Sequence, residues 1–204
     1  MADFCNVTDI ENFLQMTIHT DPVLNASAQR AIAEATEAIK NYCHQVIERV
    51  AGDVVTLDCK IGSRLFLPEV PVISVTSVVE DCKALVVDDD YKLGQHGILY
   101  RIGNVWLEGV QIVTVTYTHG YVTLPDDVVG VCVRAASRAY QAGLSAAVVA
   151  GVMGVTAKSL GDYSVSFGTG TGGGVGEGLL GASGARMLLL SEKDVLNRYR
   201  ILGR

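Results

Sequence analysis

Two glycine-rich stretches are the part of this chain whose spacing best matches a known binding chemistry. Residues 168–173 and 176–181 both have the G-x-G-x-x-G spacing that lets backbone amides approach a dinucleotide pyrophosphate. That chemistry also needs a β-α-β unit, with an acidic residue ending a second strand about 20 residues further on. Asp194 lies at that distance, but in a predicted helix that no strand follows. We therefore interpret residues 168–185 as a flexible linker.

The other candidates for chemistry fail on residue type or on spacing. Residues 154–159 resemble the end of a phosphate-binding loop, but Ala157 stands where that loop needs a glycine. Asp88, Asp89 and Asp90 have the oxygens that calcium prefers without the spacing of a calcium loop, and a hairpin turn explains them better. The four histidines and five cysteines show no zinc-ligand spacing. The cysteines are odd in number and scattered, which indicates reduced thiols. The sequence predicts no catalytic residue, no metal and no cofactor, and hence not an enzyme.

The composition indicates contacts between subunits. Hydrophobic residues make up 49% of the 204 residues although aromatic residues make up only 6%, and the mean hydropathy is +0.32. Large apolar surfaces usually mark interfaces, so we expect other subunits to cover part of this surface. The uncharged stretch from Ala139 to Ala157 fits a buried or subunit-facing segment better than a membrane span, because three glycines interrupt it.

Charge divides the chain into an acidic body and a basic tail. The net charge is −6, which argues against general nucleic-acid binding, since a protein that follows phosphates needs clustered Lys and Arg. Residues 186–204 carry +3 and the rest of the chain carries −9. A basic tail suits docking on an acidic partner. Arginines near a helix C-terminus can equally complement the helix dipole.

Capping signals and apolar spacing predict the helices. Residues 8–11 have a capping-box pattern, which predicts a short helix over about 9–15. Asp21 followed by Pro22 begins a long helix that ends near residues 50–52, so helices cover about 9–50. A proline and two aspartates begin a central helix over about 125–142, and a final amphipathic helix covers about 186–201.

An antiparallel β module is predicted between these helices, over about 53–120. Short runs rich in Val, Ile, Thr and Tyr alternate there with polar turns. Gly120 is interpreted as a strand-end turn that uses positive φ, and a late strand is predicted at 161–167. The fold class is α+β, a helical core of N-terminal, central and C-terminal helices with an inserted antiparallel β module. We divide the chain into a domain over 1–167, the linker over 168–185 and a C-terminal helix over 186–204.

The apolar stripe of the long helix has two interpretations. Its residues recur at spacings of three and four and are rich in alanine, which permits a close neighbouring helix. They form either the chain's own core or a contact with the next subunit of an oligomer. Under the second interpretation, the subunit interface consists of Leu24, Ala28, Ile32, Ala35 and Ile39, with Arg134 and Arg138 on the central helix.

The order of several motifs along the chain resembles one protein family. After a helix that ends near Tyr42-Cys43 come L-P-E-V-P-V-I-S-V-T-S-V (67–78), D-D-Y-K-L (89–93), V-T-Y-T-H-G-Y (115–121), L-P-D-D-V (124–128) and G-D-Y-S-V-S-F (161–167). In this order they are similar to the head–tail connector proteins of tailed bacteriophages, also called adaptor or head-completion proteins. The similarity spans roughly residues 22–167, which makes 1–167 the connector domain.

The resemblance implies a structural protein of the virion. Such proteins form a ring, usually of twelve copies, under the portal at the capsid vertex where DNA leaves, and they receive the next neck or tail component. The implied partners are further copies of the chain, the portal protein and a downstream neck or tail protein, with no membrane. DNA would pass through the channel without specific binding, which suits an acidic wall that repels phosphate. Assembly would take place in the host bacterial cytoplasm.

The resemblance also implies that the C-terminal segment contacts the portal. The residues assigned to portal docking are Arg186, Leu188, Leu189, Val195, Leu196, Arg198, Tyr199, Arg200 and Leu202. On this hypothesis, a chain that lacks residues 186–204 folds but no longer binds portal rings in a pull-down.

Two other functions stay open at this point. The chain could be a different neck or tail-completion part, such as a stopper or a tail terminator, and its binding partner would distinguish these from a connector. It could also bind a nucleotide through the glycine-rich stretch. A genuine ligand of that kind would raise the melting temperature in a screen with nucleotides and metals.

Overall fold

The computed structural model describes residues 3–150, 157–160, 163–166 and 187–201 and has a helical layer and a β module. The helices are α1 (Val7–Leu14), α2 (Pro22–Cys43), α3 (Asp126–Ala150) and α4 (Leu190–Leu196), the last followed by a 3-10 turn (Asn197–Tyr199). The strands are β1 (Val50–Cys59), β2 (Arg64–Phe66), β3 (Val72–Glu80), β4 (Lys83–Leu85), β5 (Tyr91–Leu93), β6 (Ile98–Arg101), β7 (Gly109–His119), β8 (Ala157–Leu160) and β9 (Tyr163–Ser166). A short 3-10 turn (Gln95–Gly97) precedes β6. The predicted α+β fold with an inserted antiparallel module is confirmed.

The two N-terminal helices begin and end where their caps are satisfied. In α1 the capping box is formed by Asn6 and Asp9, whose side chains bond each other's backbone amides at 3.0 and 2.8 Å, so the predicted box at 8–11 is wrong. Asp21 caps α2 by accepting the Val23 amide at 2.8 Å, as the sequence predicts. The predicted end of α2 near 50–52 is also wrong. His44 takes a left-handed conformation after Cys43, and the chain turns there into the β module.

The helical layer has its own hydrophobic core. The apolar faces of α2 and α3 pack against each other, and α1 covers them from one side. Alanines at 28, 31, 35, 135 and 136 keep the two backbones close. The antiparallel arrangement of α2 and α3 brings Thr36 beside Cys132, with Oγ1 and Sγ 3.7 Å apart.

The β module has a second, separate core. Its larger sheet has the strand order β1-β7-β3-β4 and its smaller sheet the order β2-β6-β5, with every pairing antiparallel. Over most of β1 and β7, alternate residues are the more buried ones, as in a half-buried antiparallel sheet. The fully buried side chains there are Leu99, Trp106, Val113, Val115 and Tyr117.

A buried ion cluster holds the two sheets of the β module together. The guanidinium of Arg101 on β6 lies 3.3 Å from a carboxylate oxygen of Glu80 on β3 and donates to the Asp90 carbonyl at 2.7 Å. The other Glu80 oxygen accepts the Leu107 amide at 2.8 Å. The Arg101 side chain also lies over the Trp106 ring. Because these charges are paired, the module can bury them between its sheets.

The β module joins the helical layer where β7 ends. Gly120 has φ +84°, which confirms the predicted strand-end turn, and its amide bonds the Pro71 carbonyl at 2.9 Å. The next residue, Tyr121, donates to the Ile47 carbonyl at 2.9 Å. A side chain on residue 120 would place its Cβ 2.2 Å from the Glu48 carbonyl oxygen, so only glycine fits between these backbones.

The C-terminal third is described only in part. The predicted late strand at 161–167 corresponds to β9, which pairs with β8, a strand the sequence did not predict. The glycine patterns and the predicted linker, residues 168–185, lie outside the described residues. No helix in the described part of the chain is long and apolar enough to cross a membrane.

We expect a Gly120→Ala substitution to destabilise the protein by at least about 3 kcal/mol, because it adds a backbone clash to an unfavourable positive φ. The matched control is Gly103→Ala, at φ +64° with no atom within 4 Å of the added Cβ, which should cost only about 1 kcal/mol. Urea unfolding of both variants measures the difference. Equal losses would show that the contact at Glu48 does not hold the layers together.

Candidate interaction surfaces

The C-terminal segment lies against the chain's own helical layer. Leu188 and Leu196 are buried in the core formed by α2 and α3. Beyond α4, the Tyr42 hydroxyl donates to the Asn197 side chain at 2.7 Å, and the Ile201 amide donates to the Cys43 carbonyl at 3.0 Å. This segment therefore completes the end of the helical layer near the C-terminus of α2.

A single buried carboxylate fixes α4 to α3. Glu192 is 3% exposed and accepts two hydrogen bonds from Arg138, at 2.7 and 2.6 Å. Arg134 lies 3.7 Å from the same carboxylate, and the Leu189 amide donates to it at 2.9 Å. Bidentate arginine–carboxylate pairs are among the strongest side-chain hydrogen bonds, and the geometry sets the position of α4.

The predicted portal-docking residues divide into two groups, and the first is a correction. Leu188 and Leu196 belong to the protein's own core, and Val195 and Tyr199 are partly covered by it. An apolar side chain that already packs inside its own chain has no surface left for a partner. Leu188 and Leu196 therefore hold the segment in place, whereas Val195 and Tyr199 keep part of their surface exposed.

The second group is exposed. Leu189, Arg198 and Arg200 face solvent, whereas Arg186 and Leu202 lie outside the described residues. Leu190 is 71% exposed and was missed by the sequence reasoning. The run of three leucines at 188–190 was the available signal, but a run alone does not tell which leucine points inward.

The predicted subunit interface on α2 also needs correction. Ala28, Ile32, Ala35 and Ile39 are at most 2% exposed within one chain, so they form the core, as the alternative interpretation had it. Arg134 and Arg138 bind Glu192 of the same chain. Leu24 is the exception, because it is only partly buried and borders an open groove.

That groove lies between the N-terminal half of α2 and the C-terminal half of α3. Its volume is about 720 Å³, and most of its wall is apolar. Small residues such as Ala26, Ser27 and Gly143 leave it open, and Arg30 and Glu34 place opposite charges at its edge. Tyr140 also lines it, and its buried hydroxyl has no hydrogen-bond partner among the described residues. Burial raises the Tyr140 pKa, so this hydroxyl is a neutral donor.

The aspartate turn at 88–90 closes on its own chain. The Asp90 carboxylate accepts the Val86 amide at 3.0 Å and faces Arg101 at 3.3 Å. The Val86 amide and the Arg101 side chain lower the Asp90 pKa, since both favour the charged carboxylate. The predicted turn is present, but it is not a hairpin, because it connects β4 of the larger sheet to β5 of the smaller sheet and these two strands do not pair. Among the described residues, no three His, Cys, Asp or Glu side chains lie close enough together to hold a metal ion.

The described part of the chain combines a helical layer, an inserted β module and an open apolar groove between α2 and α3. A family model described as "Head completion protein" matches residues 6–133, from the cap of α1 into α3. The match covers more than half of the chain, and the chain therefore belongs to the head completion protein family. The resemblance to head-completion proteins drawn from the sequence motifs is confirmed.

Other comparisons add the following. No curated protein matches the chain. One solved chain, from "Neck of empty GTA particle computed with C6 symmetry", is 13% identical with a TM-score of 0.49, covering 88% of this chain and 80% of its own length. Another, from "Neck of native GTA particle computed with C12 symmetry", is 14% identical with a TM-score of 0.49, covering 97% and 89%. Because both TM-scores are below 0.5, we draw no conclusion from them.

We expect Glu192→Ala to destabilise the protein by about 2 kcal/mol, because it removes two charged hydrogen bonds from Arg138 and the ion pair with Arg134, and both arginines are partly exposed. Cleavage by a protease within residues 187–201 should become faster, since α4 loses its anchor. Asp194→Ala, an exposed acid of the same helix, is the control and should change neither result. Unchanged proteolysis of Glu192→Ala would mean that the leucines alone hold α4.

Proposed function

We propose that this chain forms a ring, of twelve copies as the family resemblance suggests, that joins the portal to the next neck or tail component around the DNA channel. The observation that carries the ring is the open α2/α3 groove. A well-packed monomer seldom leaves an apolar groove of this size beside a buried donor without a partner. The net charge of −6 suits a wall past which DNA slides without binding. Assembly of the ring would take place in the host cytoplasm.

The occupant of the groove is a second copy of this chain. The backbone of α3 continues for six residues past Leu144, the last residue lining the groove, and the sequence from 139 to 157 has no charged residue. A segment without charged residues is suited to a groove that is lined by apolar and small residues. A ring needs two different surfaces on each subunit, so one copy's groove would receive the C-terminal end of another copy's α3.

The portal contact is placed on the exposed side of the C-terminal segment. Leu189, Leu190, Arg198 and Arg200 are all exposed, and the interior residues Leu188 and Leu196 fix the position of the segment. Exposed leucines and arginines in one segment suit a partner surface with an apolar patch and acidic groups. A stopper or tail terminator with the same fold would present this side to a different protein, so the identity of the partner decides between them.

We expect Gly143→Arg to abolish ring formation, because it fills the groove without disturbing the fold. A Cβ at residue 143 meets no atom within 4 Å, so the variant should fold normally. Ala33→Arg, which adds the same side chain to an exposed α2 position outside the groove, is the control and should still form rings. Electron microscopy of each variant mixed with portal rings, together with sedimentation, gives the result. Normal rings from Gly143→Arg would reject the groove as the subunit contact.

We expect Leu190→Lys to weaken portal binding by about tenfold or more, as the loss of a central apolar contact does. Leu107→Lys, at a half-exposed leucine of the β module, is the matched control and should bind like the unaltered chain. A pull-down with portal rings measures both. The point substitution is a better test than deletion of residues 186–204, because the deletion would remove Leu188 and Leu196 from the core. If Leu190→Lys binds the portal normally, the docking surface lies elsewhere.

A further inference from the structure

Two cysteine side chains are in contact inside the helical layer. Cys5 Sγ lies 3.3 Å from Cys132 Sγ, although the residues are 127 positions apart in the chain. Cys5 immediately precedes the cap of α1, and Cys132 lies on the buried face of α3. A disulfide has a sulfur–sulfur distance of about 2.04 Å, so the two sulfurs need to approach by little more than an ångström.

The surroundings fix both thiols in this contact. Thr36 of α2 lies beside Cys132, with Oγ1 and Sγ 3.7 Å apart, and its hydroxyl oxygen accepts the Phe4 amide at 3.3 Å. Three parts of the chain therefore meet at one point. They are the segment before α1, helix α2 and helix α3. Cys132 is fully buried and Cys5 is 8% exposed, so a small oxidant reaches the pair only from the Cys5 side.

We propose that Cys5 and Cys132 are a modification site at which a peroxide converts the two thiols into a disulfide that ties the segment before α1 to α3. In the first step a cysteine thiolate attacks a peroxide oxygen, the O–O bond breaks, and a sulfenic acid forms with release of hydroxide. The second thiol then attacks the sulfenic sulfur, the S–O bond breaks, and water leaves as the S–S bond forms. Hydrogen peroxide is reduced to two waters, and two thiols are oxidised to one disulfide.

The protonation of the pair favours this order of events. The hydrogen bond between the two thiols and burial raise the pKa of Cys5, whereas the same hydrogen bond lowers the pKa of Cys132. Of the two thiols, Cys132 is therefore the one that loses its proton more readily. Cys43 provides an internal contrast, because burial raises its pKa to about 11 and its sulfur lies near the Leu196 carbonyl.

Such a bond would matter for a particle that is assembled in one compartment and used in another. The reducing cytoplasm keeps thiols free, and conditions outside the cell allow disulfides to persist. This biological role rests on the proposed function, but the chemistry of the pair does not. A chain that forms the disulfide but no ring would therefore separate the two ideas.

The test uses the full chain with Cys82→Ser, because Cys82 is exposed and would otherwise form bonds between molecules. Treatment with hydrogen peroxide should remove two titratable thiols per chain and give a cross-linked Cys5–Cys132 peptide lighter by two hydrogen atoms. The melting temperature should rise by about 5–15 °C, since the bond closes a long loop, and dithiothreitol should reverse the change.

Adding Cys5→Ser or, separately, Cys132→Ser to that chain provides the controls. Both should lose the cross-link and the rise in melting temperature. The Cys5 variant is the safer one, because Cys5 precedes the cap of α1 and is more exposed than Cys132. Loss of thiols at Cys43 or Cys59 in place of this pair would overturn the proposal. Oxidation of Cys5 and Cys132 to sulfinic acids without a cross-link would overturn it as well.

Discussion

The close approach of two backbones at Gly120 and Glu48 is the constraint on which the whole arrangement depends. The helical layer and the β module have separate hydrophobic cores, and each is small for a stable domain. The two layers meet where the chain passes from α2 into β1 and where β7 returns to the start of α3. The Gly120 turn, the bond from Tyr121 to Ile47 and the bond from the Val46 amide to Glu69, at 3.0 Å, all lie at that place. We expect a substitution elsewhere in either core to destabilise one layer, whereas a substitution at this contact would weaken the attachment of the helical layer to the β module.

The C-terminal segment shows how a tail that looks like an independent docking element becomes part of the body. Its leucines at 188 and 196 fill the end of the α2/α3 core, and Glu192 binds arginines of α3. The family match ends at residue 133, so the match itself gives no account of this segment. The sequence analysis assigned the positive charge of this segment to docking, but some of the basic side chains contact other residues of the same chain. Arg200 and Lys193 both lie over the Tyr42 ring, and only part of the basic surface remains for a partner.

Most of the fold could be predicted from the sequence, because its signals are local. The Asp21 cap, the alternation in β1, β3 and β7, and the positive φ at Gly120 each depend on a few neighbouring residues. The length of α2 could not be predicted, since Val46 continues the apolar spacing although the chain has already turned at His44. The surfaces were predicted least well. Ala28 and Ile32 have the same pattern whether they face α3 or another copy, and only the position of α3 decides. The contact between Cys5 and Cys132 depends entirely on tertiary structure.

The groove and the C-terminal segment meet α3 at neighbouring residues, and this has a consequence for assembly. Arg138 donates to the Glu192 carboxylate and to the Met187 carbonyl, and the next residue, Ala139, lines the groove. Neighbouring sites on one helix can couple in free energy, whereas distant sites without shared partners act almost independently. A copy bound in the groove would therefore act on the part of α3 that positions the C-terminal segment. Because the same helix carries both surfaces, a ring formed through the grooves would present all its C-terminal segments in the same orientation.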